Sequence, residues 1–202
     1  MTITYLVHNG VYVNLTNRCP CACTFCLRRN GPGVYGSDPL WLPREPTVAE
    51  VEASLDGWDL ASADEVVFCG YGEPTERLGD LLAVAAHLKA KMPSLRIRVN
   101  TNGLSDLIHG RETAPDFAGK VDCLSISLNT DDPAEYLAVC RPKFGEAAYP
   151  ALLEFTREAA KAVPEVVMTV VGEPVTDIDK QTRCRVIAES LGARLRVRPY
   201  EG

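Results

Sequence analysis

The chain has 202 residues, a net charge of -6 and 46% hydrophobic residues, enough to bury a large core in one domain, taken as residues 1–202. No basic run exceeds Arg28-Arg29, which argues against tight, backbone-driven nucleic-acid binding, and no apolar stretch approaches membrane-spanning length. The N-terminus lacks the charged-then-apolar pattern of a secretory leader, so a cytoplasmic location is expected, and eight cysteines in that setting point to metal or thiol chemistry rather than a disulfide frame.

In chain order, Val11 to Thr16 reads as a first strand, followed at once by a cysteine-rich loop. Residues 30–46 hold three Gly and four Pro and read as a long loop. Thr47 with Glu50 forms a capping box for a helix that buries Val48, Val51, Leu55 and Trp58. The second strand, Glu65 to Cys69, ends in Gly70-Tyr71-Gly72-Glu73-Pro74 and leads to a helix from about Glu76 to Lys91. Strand three, Leu95 to Val99, ends in Asn100-Thr101-Asn102-Gly103, and an irregular, partly helical stretch runs on to Gly119. Strand four, Val121 to Leu128, is followed by a short helix at 133–139 and a longer one at 146–162. Strand five is Glu165 to Val171, a helix spans about Asp177 to Leu191, and strand six is Arg194 to Pro199. Alternating strands and helices, with largely apolar strands, predict a parallel α/β fold in which every strand ends at the same rim. Six strands are too few for a closed eight-stranded barrel, so the expectation is an open, partial (β/α)6 barrel with its polar motifs at that rim.

The densest chemistry lies at Cys19, Cys23 and Cys26, a Cys-x3-Cys-x2-Cys spacing on one loop. Each iron of a cubane iron–sulfur cluster normally takes one Cys, so three ligands leave one iron open for a substrate or cofactor. Structural zinc with a fourth ligand, for which His109 or Cys21 are poor candidates, and plain buried thiols stay open as alternatives. The polar flanks Asn17-Arg18 and Arg28-Arg29-Asn30 disfavour a core run. Cys21, inside the loop but outside the spacing, reads as a spectator.

The cysteine loop after strand one, with Phe25 before its last Cys, and Gly70-Tyr71-Gly72-Glu73-Pro74 after strand two together resemble the radical S-adenosylmethionine (SAM) superfamily. Tyr71 departs from that superfamily's paired glycines, although Gly72 still precedes Glu73. The wording around Asn14 to Pro20, Phe68 to Pro74, Asn100 to Leu104, Ile108 to Arg111 and Cys140 to Pro142 is most similar to the small radical SAM proteins associated with TatD-type nucleases. The resemblance implies a radical SAM core domain and two cofactors, a [4Fe-4S] cluster and SAM. It also implies reductive cleavage of SAM to a 5′-deoxyadenosyl radical that abstracts hydrogen from a substrate, either a small nucleotide-like molecule or a partner protein. An electron donor such as flavodoxin or ferredoxin is implied as a partner, with a TatD-type nuclease as a further one. The rival is a non-enzymatic iron–sulfur or zinc-binding partner protein, for instance of such a nuclease.

By position, the resemblance implies Cys19, Cys23 and Cys26 as iron ligands, Phe25 near adenine, and Gly70, Tyr71, Gly72 and Glu73 around the SAM amino group. Ser127 and Asn129 are candidates for the ribose hydroxyls, Asn100 and Asn102 for ribose or substrate, and Arg198 for the site wall. Cys140 is a candidate thiol hydrogen donor or acceptor, though a helix-end spectator is the simpler reading, and His109 reads more readily as a surface or structural residue than a catalyst. Cys69, Cys123 and Cys184 read as core.

Overall fold

The computed structural model describes residues 1–200. Its sheet has seven strands in sequential order: β1 (Thr4–Val7), β2 (Gly10–Val13), β3 (Glu65–Phe68), β4 (Ile97–Thr101), β5 (Cys123–Ser127), β6 (Glu165–Val171) and β7 (Arg194–Arg198). Strands β2 to β7 are parallel, and β1 joins β2 antiparallel. The six parallel strands form the expected open (β/α)6 sheet, and β1 and β7 are its unpaired edges.

β1 is an element that the sequence reading omitted. Thr4 pairs with Val13 and Val7 with Gly10, so His8-Asn9 is a two-residue hairpin loop. The signal was present in Asn9-Gly10, a common hairpin pair, and His8 takes the positive φ of 52° that such tight loops use. The first parallel strand is correspondingly shorter than read. It stops at Val13 because Asn14 turns into the protein, where its Nδ2 donates to the carbonyls of Leu40 (2.7 Å) and Thr2 (3.3 Å). Strand β4 is displaced two residues towards the C-terminus, which takes Asn100 and Thr101 into the sheet.

Helices α1 (Val48–Leu55), α2 (Leu78–Lys91), α3 (Ser105–His109), α4 (Pro133–Cys140), α5 (Ala148–Ala162) and α6 (Ile178–Ser190) occupy the intervals. Helix α1 starts with the predicted reciprocal capping box of Thr47 and Glu50. Asp132 and Asp177 cap α4 and α6 in the same sense. Among the described residues no helix is long and apolar enough to cross a membrane.

Period-two alternation divides the strands. Val11, Val13, Val66, Phe68, Ile97, Val99, Leu124, Ile126, Val166, Met168 and Val170 pack under the helices in one continuous core. The opposite face is not uniformly apolar, contrary to the reading of the strands as two-sided apolar runs. It carries Tyr12, Arg98, Asn100, Ser125, Ser127, Thr169, Arg196 and Arg198, which line a cavity instead of a packed interior. Polar residues are tolerated on this face because they border a cavity or find partners within the chain, as buried Arg98 does in Glu65, Asn100 and Tyr12.

Candidate active site

The cavity has a volume of about 510 Å³, in the range that holds small molecules and cofactors. Cys19, Cys23 and Cys26 line it together with Phe25, Gly70, Tyr71, Glu73, Asn100, Asn102, Ser127, Asn129, Cys140 and Arg198. The rim predicted from connectivity thus gathers every sequence candidate except two. Gly72 lies just behind the lining. His109 is exposed at the end of α3, and its Nε2 lies 2.8 Å from the Thr75 carbonyl oxygen, away from the cysteines.

The cysteine loop is held from two sides. On one side it docks on the end of α4: the Ala22 and Thr24 N–H groups donate to the carbonyls of Cys140 (3.1 Å) and Val139 (2.9 Å). Lys143 N donates to Pro20 O at 2.8 Å, and Cys21 forms a β-bridge with Pro142. The segment Cys140-Arg141-Pro142 therefore supplies a backbone seam. On the other side the Glu73 N–H donates to Arg18 O at 2.7 Å, tying the loop's start to the Gly-Glu-Pro turn.

That second seam accounts for both glycines. A Cβ on Gly72 would sit 2.2 Å from Thr16 O and 2.6 Å from Arg18 O, and one on Gly70 would sit 2.1 Å from Asn14 Oδ1. The sequence reading gave these glycines to close approach of a ligand; the chain's own packing already crowds both, Gly72 against backbone and Gly70 against the buried Asn14 side chain. Tyr71, the residue between them, is buried, donates from its hydroxyl to Gly31 O (2.7 Å) and meets the Trp41 ring edge-on with centroids 5.2 Å apart. It anchors the 30–46 loop over the cavity. Asn17 does the same through paired hydrogen bonds with the backbone of Leu42.

Glu73 is almost wholly buried. Its Oε1 accepts from Thr75 N (3.1 Å), Thr75 Oγ1 (2.8 Å) and Thr101 Oγ1 (2.7 Å), and its Oε2 from Asn102 N (2.7 Å). Burial pushes its pKa up against the pull of these donors. The carboxylate therefore couples the turn after β3 to the turn after β4, and Oε2, with one donor, keeps acceptor capacity towards the cavity.

The thiols form a connected group. Cys21, read as a spectator, is buried beside them: the neighbouring Cys19 and Cys23 thiols, together with burial, push it up. Cys19 is lowered by the Cys21 thiol, and Cys23 is lowered to about 4, chiefly by a hydrogen bond from Cys140 and then by Cys21. Burial raises Cys26. Asn102 Nδ2 approaches Cys19 Sγ (3.9 Å) and Cys21 Sγ (3.8 Å). Asn129, with φ 67°, donates to Cys140 Sγ at 3.3 Å, while its buried Oδ1 has no partner among the described residues. Cys123 and Cys184 are buried as read, but Cys69 follows the inward parity of Glu65 and Val67 and lines the cavity.

Soft thiol donors on one loop, two of them biased towards thiolate, beside an unsatisfied buried amide oxygen, fit a thiolate-ligated iron–sulfur cluster with a polar organic ligand next to it. Comparison with known proteins agrees. Residues 13–183 match the model of the radical SAM superfamily. The chain belongs to the radical SAM superfamily. The cofactors of that superfamily are a [4Fe-4S] cluster and SAM, and the chain is of the radical SAM enzyme class.

This radical SAM chain is 33% identical over 135 residues to the GTP 3',8-cyclase of Mycobacterium ulcerans (strain Agy99), covering 64% of this chain and 33% of that protein. It thus spans about a third of that relative's length. Among solved structures, Streptococcus suis SuiB bound to precursor peptide SuiA superposes with a TM-score of 0.67 at 12% identity, covering 96% of this chain and 39% of that one. SuiB bound to S-adenosylmethionine gives 0.63 at 13% identity, covering 94% and 38%. At such identities these structures establish the shared fold.

Sequence reading missed several cavity residues: Tyr12, Arg28, Arg98, Thr169 and Arg196. The signal for Arg196 was the strand Arg194-Leu195-Arg196-Val197-Arg198, whose period of two sets three guanidinium groups on one face.

Proposed function

We propose that this chain cleaves SAM reductively and uses the resulting radical on a small nucleotide-like molecule. The observation that carries the reading is that Cys19, Cys23 and Cys26 share one cavity with Glu73 and with the polar ends of β4 and β5. The similarity to a GTP 3',8-cyclase supports a nucleotide-like substrate. The motif wording supports a place among the radical SAM proteins associated with TatD-type nucleases, with flavodoxin or ferredoxin as the electron donor.

Cys19, Cys23 and Cys26 hold the cluster. Bound together, cluster and SAM supply one-electron cleavage of a sulfonium and a 5′-deoxyadenosyl radical able to abstract hydrogen. Glu73 accepts a charge-assisted hydrogen bond from the SAM ammonium through the spare capacity of Oε2. Asn129 offers its unpartnered Oδ1 to a ribose hydroxyl, with Ser127 beside it, and Asn100 and Asn102 close the same wall. Phe25 packs against adenine. The 30–46 loop, pinned by Tyr71 and Asn17, would exclude water from the cavity when the cofactors are bound.

The test is anaerobic reconstitution with iron and sulfide, reduction with dithionite and addition of SAM. Formation of 5′-deoxyadenosine and methionine is expected, and the Cys23→Ala variant should form neither. A Cys23→Ala protein that still released 5′-deoxyadenosine would remove the cysteine loop from the chemistry.

A further inference from the structure

Among the described residues, the cavity holds positive charge that its lining side chains do not balance. β7 sets Arg194, Arg196 and Arg198 on one face. Arg194 is spent on Glu165 at 2.5 Å, and it does not line the cavity. Arg198 lines it, and Arg196 stands between it and a smaller pocket at the barrel base that Asp64 and Glu65 border; neither arginine forms an ion pair or side-chain hydrogen bond among the described residues. The Arg198 Nε is buried and without an acceptor among the described residues. Arg98, their neighbour inside the barrel, is already forked onto Glu65 and also meets Tyr12 and Asn100.

The crowding has an electrostatic signature. Arg196 is exposed along part of its length; partial desolvation first, then the charges of Arg98 and Arg198, hold it below the ordinary arginine value. Among the described residues Glu73 is the one carboxylate in the cavity lining, and its donors are all the chain's own. This is an electropositive pocket inside a chain of net charge -6. The cofactors do not neutralise it: a cubane held by three thiolates is net negative in its oxidised form, SAM is net positive, and the two offset each other. The guanidinium pair also stands at the far edge of the sheet from β2, which feeds the cysteine loop. Ser127, Thr169 and Arg196 are paired in register across β5, β6 and β7, so hydroxyl donors continue the row towards the arginines.

We propose that Arg196 and Arg198 form an oxyanion subsite for the substrate, which therefore carries a phosphate or carboxylate group. Two guanidinium forks on one strand face, with Thr169 beside them, suit a compact multivalent oxyanion. Calling that anion part of the substrate rests on the radical SAM reading; the subsite itself does not.

The experiment titrates the reconstituted protein with pyrophosphate and, separately, with malonate, by calorimetry, and measures SAM affinity on the same samples. Pyrophosphate or malonate should bind, and the stronger of the two identifies the phosphate or the carboxylate arm. The Arg196→Gln/Arg198→Gln variant should bind that anion at least about tenfold more weakly, with SAM affinity held within about twofold. Arg194→Gln, on the same strand but already paired, should match the wild type. If the double Gln variant fails to fold, Arg196→Lys/Arg198→Lys serves in its place; it keeps charge but loses the fork and should still weaken binding. Anion binding at iron would appear equally in wild type and variants, so only the difference counts.

Failure of both anions to bind would overturn the subsite, as would variants that bind like the wild type. Loss of SAM affinity in the double variant would also overturn it, since the arginines would then be holding the SAM carboxylate. A wild type that takes up no cluster but still binds the anion through these arginines would instead overturn the radical SAM reading and leave the subsite standing.

Discussion

The carboxylate of Glu73 meets Thr75, Thr101 and Asn102 within the chain, so two duties converge on it: joining the β3 and β4 turns, and facing the cavity. Removing it leaves several donors unsatisfied in a buried place, a fault that by itself costs on the order of 1–3 kcal/mol per orphaned group. Glu73→Ala therefore mixes the two duties. Glu73→Gln separates them, because its amide keeps one acceptor oxygen and the side-chain length but loses the charge. SAM affinity should fall about tenfold in Glu73→Gln while the cluster absorbance persists. Equal affinity in equilibrium titration would confine Glu73 to the structural duty. The Gly70 and Gly72 contacts teach the same lesson: motif residues that seem reserved for a ligand can be fixed first by the packing of one motif on another.

At the scale of elements, the base of the barrel is stitched by Glu165 at the start of β6, which takes Arg194 of β7 and Arg96 just before β4. Burial would raise its pKa, but the hydrogen bonds from Arg194 and Arg96 outweigh it and bring the group from the ordinary 4.5 to about 2. The folded form thus binds this proton less readily than the unfolded chain. The contribution to stability is complete above about pH 4.5 and is lost as pH falls towards about 2. The site is partly open to water, so the effect is modest. Denaturant midpoints measured against pH should show a shallower acid limb between those values in Glu165→Gln than in the wild type; parallel curves would mean that these pairs survive in the unfolded chain. The element reading succeeded where periodicity and caps agreed, as at Thr47 and Asp177. It failed at β1, a four-residue strand whose hairpin signal lies in two residues, and at the end of β2, where Asn14 leaves the strand for a buried amide contact.

Taken whole, the molecule separates its stability from its chemistry. The continuous core lies between the helices and the outer face of the strands; Cys21 and Cys140 belong to it, while Cys19, Cys23 and Phe25 only pack against its edge. Removing iron with a chelator should therefore leave a cooperative thermal transition and the far-UV circular dichroism of the strands and helices nearly unchanged. Hydrogen exchange should accelerate in residues 17–46 and little elsewhere. Loss of the cooperative transition on chelation would show that the cluster supports the whole fold, as metal does in small metallo-domains.

The class of fold and its six parallel strands were legible in the residues alone, as was the spacing of the three cysteines and of the Glu73 turn. Those features are local: a spacing, a cap or a run of alternating side chains is readable without knowing its neighbours. Only the tertiary structure decided that Cys21 sits amid its neighbouring thiols, that Cys140-Arg141-Pro142 is a seam for the cysteine loop, and that Gly70 and Gly72 answer to Asn14, Thr16 and Arg18. It also decided which of the arginines remain uncompensated. Arg194 and Arg196 read alike in sequence and both border the small pocket at the base, but Arg194 meets Glu165 there while Arg196 also reaches the larger cavity, because the height of a side chain inside a barrel depends on the register between strands far apart in the chain.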